Sequence, residues 1–539
     1  MKRKRLGVVT DGAFNTGLTV RLDPGCSTEE LRIGNFVVVE GEHNRYFSMI
    51  SDIQLRATDA RLLADPPRDA SPFIARALVG TNTYATVQVK PMLMLEKTGE
   101  YQFADESGGV QPVRTIPMHF AELCEADEMD FATVFGHEGE MNFAMGTPLT
   151  MDIPICLNLA RLVERSNGIF GQSGTGKSML ARILLAGVIK SRAAVNLIFD
   201  MHSEYAFDKQ TEDGTWVKGL RQLFGSQVMV YTLDEKAAAR AGRQVDVVLR
   251  IGLNQIDTED VMLLAEELDL TPAARTTVGL LQDAYGEDWL RRLLAMSIED
   301  IAAFCQAKVA NQAATEALQR KLRDVERLEY VMDEAPFSLI DEMVAALDKG
   351  KHIVLQFGRH NRPLDYMLVA NIVTRRIRRK YQEKMERYEE TKDPADEPRP
   401  LMITIEEAHK FLNPTVARQT IFGQIARELR KYNVTLMVID QRPSGIDPEV
   451  MSQLGTRVSG KLTEERDIEA VLTGVSGRSF LRGALESLDT RQEILVMGHA
   501  VPMPIQVRTR QYDEAFYRAV GAQEGKRSAA ADIADLFGD

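Results

Sequence analysis

The sequence predicts an α/β nucleotide-binding fold: a mostly parallel sheet, interrupted by a helical insertion and preceded by a small β-barrel. Three observations predict it. Gly171-Gln172-Ser173-Gly174-Thr175-Gly176-Lys177-Ser178 fits the phosphate-loop pattern G-x-x-x-x-G-K-[ST], between a short apolar run and an apolar helix. Val195–Phe199, Leu401–Ile405 and Val434–Ile439 are mainly apolar runs that each lead to a carboxylate, as buried parallel strands beside a ligand do. Residues 1–135 instead carry short alternating stretches separated by Gly, Asn, Asp and Pro.

The chain has 539 residues, 44% of them hydrophobic, enough for several domains with real cores. Its net charge of −13 restricts any nucleic-acid contact to a local basic surface. Cys26, Cys124, Cys156 and Cys305 share no metal-ligand spacing and read as buried thiols of a reducing compartment. No apolar run reaches the ~18 residues that would span a bilayer. The basic start Lys2-Arg3-Lys4-Arg5 leads into no apolar signal core. A cytoplasmic protein with no membrane contact is expected.

Taken in order, Leu18–Leu22, Phe36–Val39, Tyr46–Leu55 and Ala85–Lys90 predict the strands of the barrel over 1–135. Tyr46, Phe47 and Tyr84 are too few and too scattered for a stacking surface on single strands. Residues 136–165 read as a connector. The sheet core spans 166–207 and 349–512. Met179, Leu180, Ile183, Leu184, Leu185, Val188 and Ile189 predict a helix buried on more than one side. Asp200, His202 and Glu204, after the Val195–Phe199 strand, could hold a metal or form a polar loop beside the nucleotide; three such residues alone do not make a site. Residues 208–348 read as a mostly helical insertion, with helix starts at Asp257, Thr271-Pro272 and Ser338. A strand at Ile353–Phe357 precedes a long helix carrying Arg375-Arg376-Ile377-Arg378-Arg379-Lys380. That run is either a DNA-facing stripe or a solvated face paired with the acids that follow it. Ile494–Met497 is the last strand. Residues 513–539 form a tail whose Ile533, Leu536 and Phe537 would need a partner to be buried.

The chemistry lies at the strand ends. Gly171, Ser173, Gly174, Thr175 and Gly176 let successive backbone N–H groups face phosphate oxygens. Lys177 adds a point charge for the β- and γ-phosphates, and Ser178 offers a hydroxyl to Mg²⁺. Glu406-Glu407 ends an apolar strand, as a Walker B segment requires: one carboxylate for the Mg²⁺ shell, the next to polarise the attacking water. Gln441, at the end of Val434–Ile439, is placed to feel the γ-phosphate. Arg427 and Arg430 are arginines that could neutralise transition-state charge or simply lie on the surface.

These motifs together resemble the HerA ATPases of the HerA–FtsK superfamily over nearly the whole chain. The resemblance rests on the phosphate loop, Asp200-Met201-His202-Ser203-Glu204-Tyr205, Glu406-Glu407-Ala408-His409, Arg427-Glu428-Leu429-Arg430-Lys431-Tyr432 and Gln441-Arg442-Pro443-Ser444. It implies a RecA-like P-loop ATPase core, an N-terminal HAS barrel and a homohexamer that burns ATP with Mg²⁺ to move along double-stranded DNA. Position by position it implies phosphate and Mg²⁺ binding by Lys177 and Ser178, metal support by Glu406, a base in Glu407, a sensor in Gln441, and inter-subunit arginines in Arg165 and Arg430. Two departures stand out: Glu406 replaces the usual Asp, and Leu429 and Asn433 stand where glycines are common. Relatives work with a NurA-type nuclease in DNA-end processing, or with a sirtuin-type or nuclease effector in phage defence. Lys410 and Arg418 are candidates for DNA contact in the pore. Two other readings stay open: a ring scaffold that activates a bound effector without moving DNA, and a secretion-type ATPase moving protein.

Overall fold

The computed structural model describes residues 3–58, 83–97, 109–211, 214–335, 338–360, 362–415, 417, 420–428, 431–475 and 478–521. Arg418, Arg430 and the end of the tail lie outside them. The chain divides into two compact units, 1–157 with 501–508, and 158–500 with 509–539.

The first unit is built on a closed antiparallel barrel. Strands β1 (Arg5–Ala13), β2 (Gly17–Leu22), β3 (Phe36–Glu40), β4 (Asn44–Ala57), β5 (Thr83–Glu96), β6 (Val110–Pro112) and β7 (Glu122–Glu125) run in the order β2-β1-β7-β3-β4-β5-β6. Pairing of β2 with β5, Leu18 opposite Val89 and Val20 opposite Val87, closes the ring. Closure removes the exposed edge that an open sheet would offer. Alternation puts Val9, Leu18, Val20, Val37, Val39, Ile50, Val87 and Val89 inside. Tyr46 and Phe47 are also buried, so neither is available to stack on a base. Phe47 packs with Phe36 and with Phe131 of the helix Glu128–Phe135, whose start Asp127 and Asp130 cap reciprocally. The segment 136–165, expected as a connector, holds the strands β8 (Asn142–Pro148) and β9 (Ile155–Asn158) and the helix Leu159–Glu164.

The second unit carries the predicted α/β sheet. Its strands are β10 (Asn167–Phe170), β11 (Val195–Asp200), β12 (Val228–Thr232), β13 (Val247–Val248), β14 (His352–Gln356), β15 (Leu401–Glu406), β16 (Val434–Asp440), β17 (Thr456–Ser459) and β18 (Glu493–Gly498). They lie in the order β13-β12-β14-β11-β15-β16-β10-β17-β18. β10 is parallel to β16 on one side and to β17 on the other, and β17 and β18 pair antiparallel. β11, β14, β15 and β16 are buried along their whole length, which is why they read as mainly apolar runs. The helix Lys177–Ser191 is buried on several faces, as its composition predicts. Each fully covered Leu or Ile there stabilises the unit by about 1.5–3 kcal/mol.

The stretch read as a helical insertion does supply helices, among them Thr258–Leu263, Pro272–Tyr285, Trp289–Ala295, Ile298–Lys308 and Gln312–Glu326. Thr271 caps the second, with Pro272 at its first position, and Asp257 and Asp260 form a capping box on the first. It also contains β12, which the sequence reading missed: Val228-Met229-Val230-Tyr231-Thr232 pairs with β14 inside the main sheet. The arginine run on the long helix Pro363–Thr391 is not a free stripe. Arg375 is buried and paired with Asp260 at 2.7 Å and with Asp257, and Arg378 donates to Gln424 at 2.6 Å. Asn433 takes φ +54°, the left-handed conformation in which a glycine is at ease and an asparagine is tolerated. No helix among the described residues is long and apolar enough to cross a membrane.

Candidate functional site

At the carboxyl edge of the sheet, Phe170 of β10 stands beside Asp440 of β16, and Ile439 stands beside Glu406 of β15. The chain leaves β10 through the phosphate loop. Gly174 and Gly176 adopt φ +81° and +83°, a region that L side chains rarely enter. The loop turns into the helix at Lys177, so the helix's positive end faces the same cavity. Thr175 Oγ1 and Lys177 Nζ both donate to the Gln172 carbonyl, at 2.8 and 2.9 Å. Burial lowers the Lys177 pKa, and the carboxylates of Glu407, Asp440, Glu406 and Glu204 pull it back up. The cavity of about 560 Å³ is lined by Ser173 to Met179, Glu406, Glu407 and Gln441, among others. That volume is ordinary for a small-ligand site, roughly 300–1,000 Å³.

Glu406 is held from three directions. Tyr205 Oη donates to its Oε1 at 2.8 Å, its backbone N–H donates to Tyr366 Oη at 3.0 Å, and Tyr366 Oη donates to its carbonyl at 3.2 Å. Burial, then the charges of Asp200, Glu204 and Glu407, push the Glu406 carboxyl up to about 8. Its Oε2 is buried and has no hydrogen-bond partner among the described residues. An acceptor oxygen left over on a carboxyl that resists ionising is an environment that a cation relieves. Ser178 contributes a hydroxyl on the phosphate-loop side, lining the cavity with Glu204, whose pKa Lys209 and Ser178 hold down against burial. This donor set fits Mg²⁺, which takes one or two protein ligands and fills its octahedron with phosphate and water. It does not resemble an all-protein metal cage, and among the described residues no cluster of three or more His, Cys, Asp or Glu forms one. Asp200 and Glu204 are occupied otherwise. Asp200 is fully buried and accepts the N–H groups of Glu204, Tyr205 and Ala206, fixing the loop; Glu204 pairs with Lys209 at 2.7 Å.

Glu407 sits just past the strand end at φ +49° with its side chain partly exposed. Gln441 Nε2 donates to its Oε1 at 3.0 Å. On its other side His409 Nε2 lies 3.8 Å from Glu407 Oε2, while His409 Nδ1 lies 2.9 Å from Asp440. The hydrogen bond to Asp440 raises the His409 pKa against the effect of burial. Lys177, Ser178, Glu406, Glu407 and Gln441 therefore share one cavity. Arg165 does not line it: it is exposed, following the helix Leu159–Glu164 and resting on Gly455. Arg427 donates to the Ala417 carbonyl. Arg430 lies outside the described residues.

Residues 143–377 match the family model described as Helicase HerA, central domain. These residues resemble a HerA central domain. The family resemblance read from the motifs holds, and the chain is a P-loop ATP hydrolase. It is 23% identical over 491 residues to the DNA double-strand break repair helicase HerA of Sulfolobus acidocaldarius, covering 90% of each chain. It is 22% identical over 420 residues to the protein of the same name from Pyrococcus furiosus, covering 73% of each. Among solved structures, VirB4 of Thermoanaerobacter pseudethanolicus aligns at TM-score 0.44 and 12% identity over 70% of this chain and 99% of that one.

Sequence reasoning assigned no role to Tyr205, Tyr366, His409 or Asp440, which surround Glu406 and Glu407. Tyr205 and His409 stood inside quoted motifs, and Asp440 ends a buried strand directly before Gln441, so a signal existed. Tyr366 lies in an apolar helical run and carried none.

Proposed function

We propose that the protein is an ATP-driven translocase or helicase of the HerA type, acting on double-stranded DNA as a homohexamer with a companion nuclease or other effector. Supporting it most directly is the Glu407–Gln441 pair facing the same cavity as Lys177, which is the arrangement hydrolysis needs: phosphate grip on one side, water-handling groups on the other. In this reading the phosphate loop and Lys177 hold the triphosphate. Ser178 and Glu406 hold Mg²⁺, which when bound neutralises charge across the β- and γ-phosphates. Glu407 accepts a proton from water, and Gln441 fixes the carboxylate and the water together. Arg165, exposed and outside its own subunit's cavity, reaches a neighbour's nucleotide, as Arg430 also would. The relatives' description as DNA double-strand break repair helicases supports DNA-end processing as the setting; a role in phage defence rests on the motif resemblance alone.

The test is ATP turnover with and without duplex DNA across a salt series. A translocase gains turnover on duplex DNA and loses that gain as salt rises, because counterion release drives the contact. Turnover indifferent to DNA, in rings that still alter a partner's activity, would establish the scaffold reading instead. Lys177→Ala serves as the inactive control.

A further inference from the structure

Sequence motifs account for the phosphate end of the cavity and leave its other end unassigned. Strand order places that end. Glu406 lies two strands from β10 on one side, through β16; β18 lies two strands from β10 on the other, through β17. Each is about 10 Å from the phosphate loop, at ~4.8 Å per strand. Because β18 runs antiparallel, with Leu495 opposite Ser459, its entry rather than its exit reaches the carboxyl edge. That entry is the turn Asp489–Gln492. Arg491 and Gln492 line the same cavity as the phosphate loop.

A triphosphate whose γ-phosphate faces Glu406, Glu407 and Gln441 must send its sugar and base away from β15. Of the cavity's lysines and arginines, Lys177 donates to the Gln172 carbonyl, Arg182 to the carbonyls of Glu204 and Lys218, and Lys209 to Glu204. Arg491 makes no hydrogen bond or ion pair among the described residues. The turn that carries it is braced: Asp489 N–H donates to Glu493 at 2.8 Å, and Thr509 N–H donates to the Gln492 carbonyl at 2.8 Å. Gln492 is held at φ +63°, a strained backbone of the kind that gathers at ligand sites. Met179 and Val217 add apolar wall.

We propose that Arg491 is the residue that covers the base of the bound nucleotide, its planar guanidinium stacked on the ring, with Gln492 beside the ring edge. The proposal rests on the nucleotide site described above. A guanidinium stacks on an aromatic face where an ammonium cannot, so the charge-preserving variant is informative.

The full-length protein, Arg491→Ala, Arg491→Lys and Lys177→Ala are compared for binding of ATP, ADP and inorganic tripolyphosphate, each with Mg²⁺. Thermal melting without ligand checks that the variants fold, which an exposed side chain should allow. Arg491→Ala is expected to weaken ATP and ADP about tenfold, the scale of one stacked cation, and to leave tripolyphosphate within about twofold. Arg491→Lys should not restore nucleotide affinity. Lys177→Ala should weaken all three. Unchanged nucleotide affinity in Arg491→Ala, or an equal loss for tripolyphosphate, overturns the assignment while leaving the phosphate site intact. Binding of no nucleotide by the unmodified protein would overturn the site itself.

Discussion

Tyr205→Phe isolates what holds Glu406. The hydroxyl lies 2.8 Å from Glu406 Oε1, and the tyrosine is fully buried. Phenylalanine keeps the ring and removes only the donor. Glu406 Oε2 already has no partner among the described residues, so the variant leaves the carboxylate without a hydrogen bond on either oxygen. A hydrogen bond to a charged group is worth about 1.5–3 kcal/mol, which at about 1.36 kcal/mol per decade is roughly tenfold to a hundredfold. Loss of an outer contact to a metal ligand falls in the same range of about 10–100-fold. The assay is ATP turnover at saturating nucleotide across a Mg²⁺ titration. Tyr205→Phe should raise the half-saturating Mg²⁺ concentration, lower the maximal rate, or both, by that factor. Tyr330→Phe is the matched control: Tyr330 donates to the buried Asp365 at 2.7 Å, and neither residue lines the cavity. Both variants should lose comparable thermal stability, and only the first should alter Mg²⁺ dependence. Equal Mg²⁺ dependence in the two variants would refute the idea that Glu406 meets the metal through a carboxylate that Tyr205 positions.

Glu407→Gln keeps an acceptor for Gln441 and removes the base, so turnover should fall by about 10²–10⁴ while ATP affinity changes little; near-normal turnover would move the proton to another group. Mixed assemblies of Arg165→Ala and Lys177→Ala protomers should recover part of the turnover that each lacks alone, measured at several mixing ratios, whereas no recovery in confirmed mixed rings would remove Arg165 from the inter-subunit role. His352 gives a pH signature. Its Nδ1 accepts the Asn196 N–H at 3.1 Å, and burial pushes its pKa down to about 4 from 6.5. Between those values the unfolded chain binds the proton that the folded chain refuses, so stability is fully present above pH 6.5 and falls as pH drops toward 4, by up to about 3 kcal/mol. His352→Asn, which can offer an acceptor in place of Nδ1, should flatten that slope in thermal melts; an unchanged slope would assign the acid loss to other groups.

How much was legible beforehand follows from how local each signal is. The phosphate loop and the Glu406-Glu407 strand end are contiguous in sequence, and their geometry follows from a turn and a buried strand. The barrel was legible as alternation, although alternation says nothing of the β2–β5 pairing that closes it. β12 was lost because so short an apolar run, Val228–Tyr231 before Thr232, looks like part of a helical stretch; its place is set by β14, more than a hundred residues away. Arg375 was weighed against the acids that follow it, whereas its partners Asp257 and Asp260 lie more than a hundred residues earlier. No periodicity in one segment reports such a pairing. The same holds for Tyr366, whose polar end matters only once β15 lies beside it.

The long helix Pro363–Thr391 joins two of these contacts. Near its start Tyr366 bridges the backbone of Glu406, and nine residues on, about 13 Å along the axis, Arg375 is locked onto the capped end of Thr258–Leu263. Both grips are buried and both belong to one unbroken rod, which has no slack between them. The backbone that carries Glu406 and the first turn of Thr258–Leu263 are therefore tied to opposite ends of one short stretch of helix, and neither could shift against it without breaking a buried contact.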